Sequence, residues 1–541
     1  MTFGTLDWVI LIVYFLAMAM MGPLFARKNK STESYFLGNR SFPGWLIGLS
    51  MFATSISSIT FVAYPADAYK TAYLRFLLAL MLPVGIFIAS ILFLPFFRHA
   101  RVTSAFEYLE GRFGPGVRVY AATTFIINQV VRLSLILYLV SLLVHEMTGW
   151  DRYTCVFIGG VFTAFYTVTG GIEAVIWTDF IQSFLLWGGG LVCLYVAVSS
   201  VDGGIPTVVS TAWADGKFML GDLNKEGQLV RAPLFSLAEK SVIMMFLIGL
   251  ANWLTEYSSN QNVIQKYVAT KNPKEAKRAI WICCLCSLPT WAFFMFLGTT
   301  LYVYYKLNPD PIAHEILTGA NGRKADSILP FFIIKALPQG FSGLVIAGVL
   351  AAAMSSLSSS INAISAVGIT DIYKRHIVRQ GTDRHYVVAA WGVSILSSIL
   401  MIGGAALLMW ANSKTLQDTS TKLNSLLMCG LLGLYFFGFV TVRGDVRAVI
   451  VSLVCTIAFS AWMMFIEMGL ITKSLLMGVL HLPEGFAGWA ARPMDSYYAG
   501  LAGNIIMFAV AYVLSIFVFT AKRNLNNLTF WTQDWTEDET K

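Results

Sequence analysis

Long apolar runs, separated by short polar segments, repeat along the whole chain. A run of ~20 apolar residues is enough to cross a lipid bilayer as a helix. The first run, 6–26, has neither a basic start nor a small-residue cleavage site, so we interpret it as a span and not as a signal peptide. The pattern predicts about thirteen transmembrane helices, near 6–26, 44–69, 74–97, 117–147, 151–170, 174–200, 235–258, 277–305, 341–372, 386–411, 421–442, 447–471 and 496–520.

Composition indicates an all-α polytopic membrane protein. Of the 541 residues, 57% are hydrophobic and 13% are charged, whereas soluble domains average roughly 25% charged residues. The net charge of +8 comes from basic residues in short loops, so it does not indicate nucleic-acid binding. The seven cysteines lie mostly within apolar runs and form no disulfide or metal-binding pattern. No organic cofactor and no obligate protein partner is indicated.

Basic residues cluster in the connections that follow odd-numbered spans. By the positive-inside rule, these connections are cytoplasmic. We therefore expect a cell-membrane protein with its N-terminus outside, a cytoplasmic tail at 521–541, and the longer segments 201–234, 306–340 and 472–495 outside. The basic residues are Arg27, Lys28, Lys30, Arg40, Arg98, Arg101, Arg112, Lys266, Lys271, Lys274, Lys277, Arg278, Lys374, Arg375, Arg379, Arg384, Arg443, Arg447, Lys522 and Arg523.

Two spans carry polar residues where a regular transmembrane helix would be apolar. The second span has the polar centre 54–60 (TSISSIT) followed by Pro65, which predicts a discontinuous helix. The alternative is a helix bent by serine and threonine that binds no ligand. The polar run 256–261 (EYSSNQ) predicts a second break five spans later. Two breaks at this spacing favour an inverted repeat, with spans two to six and seven to eleven as its halves.

The ninth span has a serine-rich face. Ser355, Ser358, Ser359 and Asn362 recur at i, i+3, i+4 and i+7, so they share one side of a helix. Hydroxyl and carbonyl oxygens are ligands for hard cations such as sodium. The alternative is that small and hydroxyl residues merely pack membrane helices against each other.

Two charged residues lie within apolar helices. Asp179 is a candidate functional residue, because a lone carboxylate in a membrane is unstable unless it is paired or solvated. It could also lie near the cytoplasmic interface and remain hydrated. Arg132 has no carboxylate one turn away on its own helix, and its guanidinium suits a forked contact with a substrate carboxylate. A structural ion pair with another helix is the alternative.

Other classes of protein fit less well. A sensor histidine kinase would need a long soluble module after the last span, and only a short tail follows it. An intramembrane enzyme would need paired acids, a metal set, or a nucleophile with a base, and the six histidines all lie at loops or helix ends. A proton-coupled symporter or an exchanger stays open, because a buried acid can serve either ion.

Several segments resemble the signatures of the sodium/solute symporter family, and among its members those of bacterial sialic acid transporters. The resemblance covers spans one to eleven. The segments that carry it are 52–61 (FATSISSITF) with Pro65 and Ala66, 103–110 (TSAFEYLE), 170–173 (GGIE), 176–179 (IWTD), 264–267 (IQKY), 274–278 (KEAKR) and 351–373 (AAAMSSLSSSINAISAVGITDIY).

The resemblance implies a LeuT-type inverted-repeat fold in one transporter domain, 1–541. It implies an extra first helix at 1–27, five-helix repeats at 44–200 and 235–442, and two extra helices at 447–520. It also implies sodium as the coupling ion, by alternating access. The common sodium site would comprise Ala53, Ile56, Ala352, Ser355 and Ser356. A second sodium site would comprise Asp179, Ser355, Ser358 and Ser359. The expected substrate contacts are Ser55, Ser57, Thr60, Arg132 and Asn260.

The sequence departs from the sialic acid transporters in two places. A glutamine and an aromatic residue of those transporters correspond here to Ala79 and Arg75. The pocket would lose one sugar hydrogen bond and gain a possible cation in Arg75. The expected substrate is therefore a small polar solute, first a carboxylated sugar such as N-acetylneuraminate, with a uronate, another organic acid or a neutral sugar as alternatives.

Overall fold

The computed structural model describes residues 4–26, 31–99, 102–224, 226–411, 426–427, 429–478, 481–520 and 525–533. Parts of the predicted eleventh span and tail, and the basic residues Arg27, Lys28, Lys30, Arg101, Lys522 and Arg523, lie outside these ranges. The helices are α1 (Thr5–Ala26), α2 (Thr32–Leu37), α3 (Gly44–Ser55), α4 (Tyr64–Lys70), α5 (Phe76–Leu80), α6 (Leu82–His99), α7 (Glu107–Phe113), α8 (Pro115–Thr148), α9 (Arg152–Ser199), α10 (Gly204–Ala214), α11 (Val242–Ser259), α12 (Gln261–Val268), α13 (Pro273–Leu307), α14 (Pro311–Thr318), α15 (Ile328–Ala336), α16 (Phe341–Val367), α17 (Asp383–Ala411), α18 (Leu431–Val440), α19 (Val446–Glu467), α20 (Lys473–Gly478), α21 (Glu484–Ala491) and α22 (Ala499–Phe517).

The prediction of a polytopic α-helical membrane protein is confirmed. Within the described ranges, nine helices are long and apolar enough to cross a membrane, and there are ten if the bent pair Gly44–Ser55 and Ile59–Lys70 is one span. The predicted fifth and sixth spans meet within α9 at Gly171, whose φ of 60° and ψ of −161° interrupt the helix. The count of about thirteen spans stays a prediction.

The second span is discontinuous, as predicted. Helix α3 ends at Ser55, and Ile56 is extended, with φ −97° and ψ 106°. The chain resumes as a π-helical turn, Ile59–Ala63, that continues into α4, and the two halves differ in direction by 57°. The Phe52 carbonyl accepts from the Ile56 N–H at 3.1 Å, and the break ends the run of helical N–H groups that would bind the carbonyls after it, so these are available to other partners.

The seventh span is also interrupted, as predicted. Helix α11 ends at Ser259, and Asn260 is extended, with φ −87° and ψ 110°. A short helix, α12, begins at the next residue, and all of its residues are buried, including Lys266. The prediction that Lys266 lies in a loop is wrong, because the residue is on this half-helix and its side chain is 1% exposed.

The chain forms two compact units. The first comprises 1–79, 129–231 and 261–417, and the second comprises 80–128, 232–260 and 418–541. Helix α16 is central to the first unit and packs against α1, α3, α9 and α17. It is nearly all buried, and its serine face lies inside the protein.

Helices α9 and α16 approach each other through glycine. A Cβ atom built on Gly348 of α16 would lie 2.7 Å from the backbone oxygen of Leu185 on α9, and one built on Gly189 would lie 3.2 Å from Val345 Cα. Small residues allow such close backbone packing between membrane helices. The two helices run antiparallel, so this contact lies about two helical turns from the place where Asp179 of α9 meets α16.

Gly348→Ala is expected to separate α9 from α16 and to lower stability by about 1–3 kcal/mol through overpacking. The midpoint of thermal unfolding in detergent measures the effect. Gly392→Ala on α17 is the matched control, because a Cβ atom there meets no atom within 4 Å. Equal midpoints for the two variants would refute the close packing.

Two basic side chains, one of them fully buried, hold the segment after the broken second span. Lys217 is 3% exposed, and its Nζ donates to the carbonyls of Tyr69 (2.8 Å) and Thr71 (2.6 Å) at the end of α4. Burial lowers the pKa of Lys217 to about 7. Arg75 bonds to Asp67 and, at 3.1 Å, to Asp222 in the short hairpin Gly221–Leu223 and Leu229–Arg231.

In the second unit, aromatic residues pack α7 against α18. The rings of Tyr108 and Phe439 stack with centroids 4.5 Å apart and an interplanar angle of 4°. The C-terminal segment 525–533 binds the end of α18. The backbone N–H of Phe530 donates to the Phe439 carbonyl (2.8 Å), and the Trp531 indole donates to the Val440 carbonyl (2.7 Å).

Candidate cation and substrate site

The centre of the site is the carboxylate of Asp179, which is fully buried. One oxygen, Oδ1, accepts a hydrogen bond from Ser355 Oγ at 2.7 Å. The other, Oδ2, accepts from Ser50 Oγ at 2.6 Å, Ser359 Oγ at 3.3 Å and Thr54 Oγ1 at 3.4 Å. The alternative that Asp179 is hydrated near the membrane interface is wrong, because its side chain has no exposed surface.

A lysine completes this cluster. Lys266 Nζ lies 2.7 Å from Asp179 Oδ2, with the side chains 2% and 0% exposed. The same ammonium donates to the Ser50 carbonyl at 3.1 Å and to Thr54 Oγ1 at 2.5 Å. An ammonium has three N–H donors, and these three oxygens can accept one each. The pair is electrically neutral, so it can be buried without leaving a net charge.

Beside the serine face of α16, residues from three interrupted segments meet at this cluster. Ser50 and Thr54 lie on the last turns of α3, before the break. Asp179 follows the Gly171 interruption of α9, and Lys266 lies on the last turn of the half-helix α12. Sequence reasoning missed Ser50, Thr54 and Lys266. The signal that could have found the lysine is the need of a buried acid for a nearby cation.

The predicted second sodium set is largely assembled. Ser355 and Ser359 both donate to the Asp179 carboxylate, whereas Ser358 Oγ donates to the Ser355 carbonyl at 3.2 Å. Carboxylate and hydroxyl oxygens suit a hard monovalent cation such as sodium.

The predicted common sodium set lies at the break of the second span. Ser356 Oγ donates to the Thr54 carbonyl at 3.0 Å and to the Ala352 carbonyl at 3.5 Å, so α16 meets the end of α3 there. These are carbonyl and hydroxyl oxygens, and no carboxylate contributes to the set. The other members, Ala53, Ile56 and Ser355, are buried. The donor types fit sodium.

The predicted substrate residues of the broken span lie at and beyond its break. Ser55 Oγ donates to the Met51 carbonyl at 2.9 Å, and Ser57 Oγ accepts from the Ile59 backbone N–H at 3.2 Å. Thr60 Oγ1 accepts from the indole N–H of Trp291 at 3.3 Å. Each hydroxyl therefore has a protein partner that a substrate would have to replace or share.

Arg132 lies on α8, one turn after Gln129, so the two residues share a helix face. Gln129 is 1% exposed, and its Oε1 accepts from Asn262 Nδ2 at 3.1 Å. Asn262 also donates to Ser360 Oγ, at 3.1 Å. Arg132, which is partly exposed, thus stands at the edge of a buried polar network that reaches α16.

Two predicted substrate residues have other partners. Asn260 belongs to the second unit, where its Nδ2 donates to Glu256 Oε2 at 2.8 Å. Arg75 is ion-paired with Asp67 and Asp222, as described above. Ala79 is 1% exposed. Substrate roles for Asn260 and Arg75 stay predictions.

Broken membrane helices around a buried, hydroxyl-lined carboxylate are the architecture of ion-coupled transporters. A family model described as "Sodium:solute symporter family" matches residues 35–417. The chain belongs to the sodium:solute symporter family, which is a family of transporters.

Individual relatives agree with this. The sodium/sialic acid symporter NanT of Aliivibrio fischeri is 30% identical over 529 residues, which are 97% of this chain and 95% of that protein. The sodium/sialic acid symporter SiaT of Proteus mirabilis is 32% identical over 456 residues, covering 84% and 88%. A solved structure of a Na⁺-coupled sialic acid symporter, substrate-bound and outward-open, superposes with a TM-score of 0.80 at 26% identity, covering 96% of this chain and 99% of that chain. The LeuT-type fold is thereby confirmed.

Proposed function

We propose that this chain is a sodium-coupled symporter that imports a carboxylated sugar, with sialic acid as the first candidate, by alternating access. The observation that carries the proposal is the buried Asp179 carboxylate, held by hydroxyls of α3 and α16 beside a broken helix. The two relatives described above are both sodium/sialic acid symporters, which supports the choice of ion and substrate.

Two sodium ions would bind per cycle. One would use the Ala53, Ile56, Ala352, Ser355 and Ser356 oxygens, and the other would use Asp179 with Ser355, Ser358 and Ser359. Each net positive charge that moves inward adds ~2.3 kcal/mol per 100 mV of membrane potential to the driving force. Ordering of α3 against α16 by the first ion would favour the state that binds substrate.

The substrate would bind beside the break in the second span. Ser55, Ser57 and Thr60 would offer hydroxyls to the sugar, and Arg132 would bind the carboxylate. A guanidinium binds a carboxylate through two parallel hydrogen bonds, which fixes orientation as well as charge. The proposed orientation has the N-terminus outside and the C-terminus in the cytoplasm, from the loop charges.

Uptake by the purified protein in proteoliposomes tests the proposal. Radiolabelled N-acetylneuraminate is offered with an inward sodium gradient, and potassium replaces sodium in the control. Uptake that requires sodium supports the symporter. Uptake that is the same in potassium, or that follows a proton gradient, contradicts the proposed ion sites. If N-acetylneuraminate is not taken up, the same assay with uronates and neutral sugars tests the class of substrate.

A cationic cavity on the predicted outer side would attract an anionic substrate. Its volume is about 280 Å³, and its charged lining residues are Arg152, Arg323, Lys324 and Asp326. The cavity also touches Val62, which belongs to the broken second span. Burial raises the pKa of Asp326 to about 6. The carboxyl is therefore ionised at pH 7.5 and neutral well below pH 6, where the cavity gains one net positive charge.

Lowering the outer pH from 7.5 to 5.5 is expected to decrease the KM for a carboxylated sugar by about threefold at low ionic strength, because a more positive cavity attracts the anion more strongly. Asp326→Asn should have the lower KM already at pH 7.5 and lose the dependence. The comparison uses initial uptake rates at fixed sodium. If Asp326→Asn kept the pH profile of the wild type, Asp326 would not be the cause of the pH dependence of KM.

A further inference from the structure

We propose that Lys266 is a tethered counter-cation, which takes the place of the second sodium ion at Asp179 when the carrier is empty. The inference rests on the proposed function, because it concerns the same sodium-coupled cycle. The observation behind it is the direct contact of Lys266 Nζ with Asp179 Oδ2, at 2.7 Å, in a fully buried location.

The ammonium occupies one oxygen of the proposed second sodium set, Asp179 Oδ2. Lys266 binds Asp179 Oδ2, Thr54 Oγ1 and the Ser50 carbonyl. The other carboxylate oxygen, Oδ1, is bound by Ser355 and not by the lysine. A sodium ion that approaches from the serine face of α16 therefore meets a carboxylate whose charge the ammonium already balances. Two cations that share one carboxylate repel each other, and this repulsion weakens the binding of both.

The position of Lys266 favours this role. Its side chain leaves the last turn of α12, where the carbonyl end of a helix stabilises a positive charge. The half-helix begins directly after the break at Asn260, so Lys266 is carried by a separate helix of eight residues. A lysine also has a long flexible stem that can shift by small rotamer changes.

Pairing of the Asp179 carboxylate has its largest effect on the step in which the empty carrier reorients. After sodium and substrate have left, the empty carrier must reorient with Asp179 still inside the membrane. An uncompensated buried carboxylate makes such a state costly. The Lys266–Asp179 pair is neutral, so it allows the empty carrier to return, and the arriving sodium then has to compete with the lysine.

Two variants separate this role from packing. Lys266→Met removes the charge and keeps much of the apolar stem, and Lys266→Arg keeps the charge. Net uptake, which needs the empty return, is expected to fall at least tenfold in Lys266→Met. Exchange of internal for external substrate, with saturating sodium on both sides, avoids the empty return and should stay within about threefold of the wild type. Lys266→Arg should restore net uptake.

Binding of ²²Na⁺ to the purified full chain without substrate provides a second readout. Lys266→Met should bind sodium about tenfold more tightly, because a neighbouring positive charge is gone, and Lys266→Arg should not. If Lys266→Met proves unstable, the double variant Lys266→Met/Asp179→Asn removes both charges, and its thermal midpoint should rise above that of Lys266→Met.

Three results would overturn the inference. The first is that net uptake and exchange fall equally in Lys266→Met. The second is that Lys266→Met binds sodium with the affinity of the wild type. The third is that the double variant is no more stable than Lys266→Met. If the wild type bound no sodium at all, the proposed function would fail first and this inference with it. Sodium binding by the wild type with unaltered affinity in Lys266→Met would leave the proposed function intact.

Discussion

Replacing Asp179 by asparagine is expected to reduce sodium-driven uptake by at least about 100-fold, because the second sodium ion loses its proposed carboxylate ligand. It is also expected to lower stability, because removal of one partner of a buried ion pair typically costs about 3–5 kcal/mol. The substitution removes the only acidic ligand proposed for the second sodium ion. It also leaves the Lys266 ammonium, 2.7 Å from the altered side chain, without its carboxylate. Uptake, sodium-to-substrate stoichiometry and the thermal midpoint are measured together.

The matched control is Asp202→Asn, the same change at an exposed position just after α9. It should leave all three quantities unaltered. The sodium-to-substrate ratio of Asp179→Asn is expected to fall from about two to about one. Only one of the two proposed sodium sites contains a carboxylate ligand, so only that site should be lost. A ratio that stays at two would remove Asp179 from the list of sodium ligands, whatever its effect on rate.

Replacing Arg132 by alanine is expected to raise the KM for a carboxylated sugar by about 10- to 100-fold, since hydrogen bonds to charged groups contribute about 1.5–3 kcal/mol. In the proposed complex, Arg132 contacts the carboxylate of the sugar and no other group of it. The methyl ester of the same sugar, which has no carboxylate, should therefore bind the wild type and the variant alike.

Arg132→Lys is the companion variant. It keeps the charge and loses the second parallel hydrogen bond, so an intermediate KM is expected. Equal weakening of acid and ester by Arg132→Ala would indicate that the residue supports the polar network of Gln129 and Asn262 and does not bind the carboxylate.

The sequence was informative where a feature of the fold is recorded in a local pattern of residues. The polar run with Pro65 predicted the broken second span, and the polar run at 256–261 predicted the second break. The i, i+3, i+4 spacing of the serines placed Ser355 and Ser359 on one face, and both contact Asp179.

The rest depended on contacts between distant segments, which no local pattern records. The sequence predicts a loop position for Lys266, because the residue follows the predicted end of the seventh span by several residues. The structure places it on a buried half-helix instead. The carboxylates that bind Arg75 are on α4 and in the hairpin, and the pairing of the hairpin depends on backbone register that its sequence does not show.

The short segment near the C-terminus has a practical consequence for work on this protein. Phe530 and Trp531 bind the carbonyls of Phe439 and Val440 at the end of α18, and Tyr108 donates to the Leu528 carbonyl at 3.2 Å. Purification tags and fluorescent fusions should therefore be joined beyond residue 533. A truncation at residue 520 would leave these helix-end carbonyls without their donors, and low expression of such a truncated chain would then report damage to the fold and not a role of the tail in transport.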